Sequence, residues 1–174
     1  MPNNKRVITT AAFNQLDSSM QMLKTLVDVC VDEVWCTDYH GIPFWYHVYH
    51  VAYFIDYWLR EDFGNDSLLS MEFDKRIPPE FEHPVDPSIL IERTDMQEHI
   101  RILFVKVNCY FAYLDDDRLS EPVINGRKDL TYADVIMTQI RHIMYNIGYL
   151  NGILRGIGLT ESDWYAYNEI EDSD

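Results

Sequence analysis

Four stretches of this chain repeat apolar residues every three or four positions, and a proline-rich stretch separates the second from the third. In the first, Phe13, Leu16, Met20, Leu23, Val27, Cys30 or Val31, and Val34 form one helical stripe. The segment CTDYHGIP breaks it, and Pro43 suits the first turn of a second helix that runs to about Phe63. Its stripe is Phe44, Val48, Val51, Ile55 and Trp58, with His47, His50, Phe54 and Tyr57 in a line beside it. Thr94 and Gln97 have capping-box spacing ahead of Ile100, Leu103, Val107, Phe111 and Leu114. Thr131 and Asp134 mark a fourth start, followed by Ile136, Ile140, Ile143, Ile147, Leu150 and Leu154, with Gly156 or Gly158 as the C-cap.

Between Gly64 and Arg93 the periodicity is lost, and Pro78, Pro79, Pro84 and Pro87 exclude a regular helix or a central strand. The predicted fold class is therefore all-α: a four-helix bundle with a long crossover between helices 2 and 3, in one domain over 1–174. So long a connection often covers a site, and Phe73 and Phe81 are expected to pack on the helices. SEPVINGRKD carries an Asn125-Gly126 turn and gives weak support to a small hairpin. Gly148, Gly152 and Gly156 share a face of the last helix and suggest close approach of another helix. The acidic end, about 161–174, holds six carboxylates and no basic residue; it reads as a solvated tail with one aromatic anchor among Trp164, Tyr165 and Tyr167.

A net charge of −15 opposes binding to nucleic acid or to anionic membranes, so neither is an expected partner. No apolar run approaches the ~20 residues of a bilayer span, and the start lacks the apolar core of a secretory signal, which favours the cytoplasm. Cys30, Cys36 and Cys109 form no C-x-x-C pair; they are expected to be reduced, with Cys109 buried as a small hydrophobe.

Chemistry concentrates on two histidines. His50 lies in WYHVYHVAYFIDYWL and His142 in IRHIMYNIGYLNGILR, where Val135, Gln139, His142, Asn146 and Tyr149 form a line beside the apolar stripe. Residues four apart share a helix face, so His142 and Asn146 can aim at one point, with His50 arriving from the second helix. His40, His83 and His99 have no supporting motif; Glu80-x-x-His83 has the spacing of half a di-iron site, but the prolines around it disfavour the helix such a site needs. No phosphate-binding glycine loop, serine-hydrolase elbow or H-E-x-x-H helix is present.

These two segments resemble the DinB-like superfamily of bacterial four-helix bundles. In that family a histidine of helix two and an H-x-x-x-H pair on the last helix bind a divalent metal. The resemblance assigns metal ligands to His50 and His142, and places Asn146 where the third histidine would stand, with His47 as a substitute donor if it turns inward. The metal would be zinc, nickel or iron, held weakly or absent, because an amide oxygen is a poor replacement for imidazole. The activity implied is transfer of a low-molecular-weight thiol, the metal binding the thiolate, with Tyr149 or Gln139 orienting substrate. The alternative is a metal-free binding or interaction bundle whose former site is a hydrogen-bonded polar core. Homodimer formation is also compatible with the resemblance, although no residue here specifies it.

Overall fold

The structure is a computed structural model that describes residues 5–70, 76–81, 85–127 and 129–166. It is mainly helical, with α1 at Val7–Val29, a single turn α2 at Asp32–Trp35, α3 at Phe44–Trp58, α4 at Arg93–Ala112 and α5 at Tyr132–Gly156. A short antiparallel hairpin joins β1, Asp38–Tyr39, to β2, Ile42–Pro43. Helix α1 packs on α4 and α5, and α3 packs on the same two. The predicted stripes meet in this core: Leu16, Met20, Leu23 and Val27 of α1, Val48, Val51 and Ile55 of α3, Leu103 and Val107 of α4, and Ile136, Ile143, Ile147 and Leu150 of α5 are all buried. No helix among the described residues is long and apolar enough to cross a membrane.

Several boundaries differ from the sequence reading for identifiable reasons. The first helix begins six residues before Phe13 because a distant carboxylate caps it: Asp116 accepts the Thr9 N–H at 2.8 Å, the Ile8 N–H at 3.2 Å and the Thr9 hydroxyl. It ends at Cys30, whose backbone is extended, so Val34 belongs to the separate turn α2. The break before α3 is itself ordered, since His40 and Gly41 both take positive φ, 59° and 88°, as a tight hairpin turn requires. Helix α3 stops at Trp58, short of Phe63.

The capping box predicted at Thr94 is not formed. Glu92 occupies the N-cap of α4 without a side-chain bond, and Gln97 donates instead to Asp28 of α1 at 2.7 Å. The box at Thr131 and Asp134 is formed in both directions. At the other end of α5, Gly158 has φ +78°, its N–H reaches the Arg155 carbonyl and the Leu159 N–H reaches that of Leu154, which completes a Schellman cap. Among the described residues the Asn125-Gly126 turn closes one antiparallel bridge, Pro122 to Thr131. Gly126 is required there, because a Cβ would lie 2.4 Å from Val123.

Two buried polar links tie the connections to the helices. Lys106 on α4 donates to the Asp56 carboxylate on α3 at 2.6 Å and to the Leu68 carbonyl at 2.8 Å, while the same carboxylate accepts the Ser70 N–H. Every charge there has a hydrogen-bond partner, which offsets its desolvation. Beyond α5, Asn151 and Ser162 are joined by side-chain and backbone bonds, and Tyr165 reaches Thr25 of α1 at 3.3 Å. The start of the acidic tail is therefore docked; Trp164 is exposed, Tyr165 is the anchor, and Tyr167 and the tail's end lie outside the described residues.

Two expectations are corrected. Cys109 is exposed, because it lies two residues, about 200° of helix, beyond the buried Val107. Gly148, Gly152 and Gly156 face open space, with nothing among the described residues within 4 Å of a Cβ built on any of them, so they mediate no helix packing among those residues. Gly152→Ala should therefore stabilise the protein by about 0.5–1 kcal/mol in denaturant unfolding through helix propensity alone. A loss of stability would instead reveal a surface packed against that face.

Candidate functional site

The site starts from the face of α3. Tyr46, Tyr49 and His50 fall at i, i+3 and i+4, so all three project to one side. There they meet residues 77–81 of the crossover, where Pro78 and Pro79 have no N–H to form a ladder and their carbonyls need donors from elsewhere. Tyr49 donates to the Ile77 carbonyl at 3.1 Å, and the single Tyr46 hydroxyl proton is shared between the carbonyls of Pro78 and Glu80 at 2.7 and 2.8 Å. His50 Nδ1 lies 2.8 Å from the Pro79 carbonyl. Phe81 then lies over the imidazoles, stacked on His50 at 4.4 Å between centroids and tilted against His47 at 4.8 Å. Phe81 packs as expected; Phe73 lies outside the described residues.

Across the interface, His142 of α5 brings its Nε2 to 3.0 Å from Nε2 of His50. The chain of partners fixes both protonation patterns. A carbonyl can only accept, so His50 carries its proton on Nδ1 and offers a lone pair at Nε2, to which His142 donates from its own Nε2. The remaining nitrogen of His142, Nδ1, is then an acceptor, and it is buried without a partner. Burial, reinforced by neighbouring His50, holds His142 down at about 4, well below the ordinary imidazole range. His50 is also lowered by burial, against the opposing effects of the Pro79 carbonyl and the Glu80 charge.

The two imidazoles form part of the wall of a cavity of about 340 Å³, completed by Phe54, Trp58, Glu80, Thr138 and Gln139. Gln139 is 2% exposed, and its side-chain oxygen has no partner. Cavity size alone does not single this place out. A hollow of about 430 Å³ lies beside the hairpin, lined by Cys36, Asp38 and Asp86, but those carboxylates already accept bonds from Gly41 and Ser88.

The predicted site residues divide accordingly. His50 and His142 come together. Asn146 is buried on the same helix as His142, but its amide nitrogen turns back to the His142 carbonyl at 2.8 Å. His47 contacts the rings of Phe81 and Tyr149 and takes no part in the bond between His50 and His142; its Nε2 is buried without a partner. Tyr149 is 38% exposed and does not line the cavity, whereas Gln139 does. His83, with the Glu80-x-x-His83 spacing, lies outside the described residues. Sequence reasoning missed the Pro79 carbonyl and the cavity position of Glu80.

The donor set bears directly on a metal. Two imidazole nitrogens 3.0 Å apart are near the ~3.3 Å expected of neighbouring ligands on one tetrahedral zinc. A carbonyl behind His50 is also the usual support of a metal-binding imidazole. Yet an open zinc site uses three protein ligands, and among the described residues no three His, Cys, Asp or Glu side chains converge. The Asn146 amide nitrogen is bonded to its own helix, which leaves only its amide oxygen, a weak donor beside imidazole, to stand as a third ligand.

The chain matches no protein-family model, no curated protein and no solved structure.

The buried imidazoles make a pH prediction. His47 and His142 titrate near 4 in the folded protein, against 6.5 for the free side chain, so the unfolded chain binds more protons throughout that interval. Stability from the neutral rings is complete above about pH 6.5 and is lost as pH falls towards 4. The thermal midpoint should fall over this window, and His47→Phe should flatten the fall; an unchanged slope in the variant would contradict the burial of a neutral His47.

Proposed function

We propose that this chain is a DinB-like four-helix bundle that binds a small molecule at the cavity beside His50 and His142, with the imidazoles joined by a hydrogen bond in place of a resident metal. The observation that carries this reading is the 3.0 Å contact between the two Nε2 atoms, continued by the bond from His50 to the Pro79 carbonyl. These bonds give each ring a partner without a metal, and the amide nitrogen of Asn146, which stands in the third ligand position, is bonded to the His142 carbonyl of its own helix. Support for the bundle comes from the packing of α1 and α3 on α4 and α5 and from the long connection between Trp58 and Arg93.

A second reading, metal-dependent transfer of a low-molecular-weight thiol, is favoured by one feature. His50 is held in the tautomer that a metal would need at Nε2. The two readings separate in a calorimetric titration with zinc, nickel or iron(II) under anaerobic conditions. The native protein should bind none stoichiometrically, and Asn146→His should gain metal affinity, because it restores an imidazole one turn from His142. Stoichiometric binding by the native protein, abolished in His50→Ala, would establish the second reading instead.

A further inference from the structure

The cavity beside the histidine pair is built largely from rings. His50, Phe54 and Trp58 stand four residues apart on one face of α3, and Thr138, Gln139 and His142 of α5 continue the wall. The rings brace one another: Phe54 meets His50 edge-on at 4.9 Å and His142 at 5.6 Å, and Trp58 leans on Phe63 at 5.5 Å. The polar atoms of the two imidazoles are committed or sealed. His50 Nδ1 is bonded to the Pro79 carbonyl, the two Nε2 atoms to each other, and His142 Nδ1 has no accessible surface; the Gln139 side-chain oxygen is sealed in the same way. The surface that the wall turns to the cavity is therefore mostly carbon.

Such a surface selects by exclusion. An ion entering it would give up its water for carbon, at a steep cost, whereas an apolar ligand gains from the area it removes from water. An aromatic ligand gains further, because rings attract one another in edge-to-face and offset contacts. Size points the same way: an apolar cavity of about 150 Å³ admits benzene, and this one, at about 340 Å³, has room for a fused pair of rings. We infer that the ligand of this cavity is an uncharged, fused-ring aromatic compound, held against Phe54 and Trp58 by ring contacts and burial rather than by an ion pair. The inference rests on the reading of the cavity as a ligand site and adds the chemical class of its occupant.

The test titrates three probes of one skeleton, quinoline, N-methylquinolinium and quinaldate, into the native protein at neutral pH, and compares phenol with cyclohexanol. The signals followed are the Trp58 indole in ¹H–¹⁵N spectra and nuclear Overhauser contacts from the probe to the Phe54 ring. Quinoline should bind saturably with contacts to both rings, about tenfold more tightly than N-methylquinolinium, while quinaldate does not bind; phenol should exceed cyclohexanol about fivefold. Thr138 is exposed, so Thr138→Trp adds bulk at the cavity without touching the packed core, and it should weaken quinoline about tenfold. If N-methylquinolinium or quinaldate binds at these rings as tightly as quinoline, or cyclohexanol as tightly as phenol, the ligand site stands and the inference about its occupant falls. If quinoline binds without contact to Phe54, or Thr138→Trp leaves its affinity unchanged, quinoline lies elsewhere and the inference falls. If no probe binds, both the inference and the ligand site are overturned.

Discussion

The bond between His50 and the Pro79 carbonyl is the constraint on which the rest of the site depends. Two consecutive prolines cannot join a helix or a strand ladder, so the carbonyls around them must be satisfied from outside the segment. One face of α3 supplies the donors at helical spacing, Tyr46, Tyr49 and His50. Residues 77–80, part of a stretch without periodicity in the chain, are thus fixed against α3, and fixing them brings Phe81 onto His50.

The same bond governs the chemistry. By claiming the Nδ1 proton it leaves His50 with a lone pair towards α5, and His142 answers as the donor. Burial lowers both rings, and neighbouring His50 lowers His142 further, so near neutral pH the couple stands as two neutral imidazoles. A neutral, ordered pair differs physically from a metal cage, in which both Nε2 atoms would present lone pairs to one point. The choice between these arrangements is made at one proton, on His142 Nε2, and by whether a third donor exists. Asn146 points its amide nitrogen at its own helix, and no three His, Cys, Asp or Glu side chains converge among the described residues.

Much of the helical core was legible because burial follows period: the stripes of Leu16 to Val27, Val48 to Ile55 and Ile136 to Leu154 are one-dimensional signals of one buried face. Convergence of His50 and His142 was legible for the same reason, since each stands beside such a stripe. Long-range partners were not. The Asp116 cap of α1 joins residues more than a hundred positions apart, and Gln97 left a local capping box for Asp28 on another helix. Asn146 was legible as a polar residue one turn beyond His142, but its rotamer was not, because a bond to the carbonyl four residues back competes with any ligand across the interface. Glu80 and the Pro79 carbonyl belong to a segment without periodicity, so no pattern could have placed them against α3.

The account is tested most directly by the nitrogen chemical shifts of the two imidazoles, read from long-range ¹H–¹⁵N correlations at neutral pH in metal-free buffer. The prediction is opposite tautomers, His50 with its proton on Nδ1 and His142 with its proton on Nε2, each in a single form. Averaged shifts typical of exchanging, solvent-exposed rings, or both protons on Nδ1 with the two Nε2 atoms left as lone pairs, would contradict it.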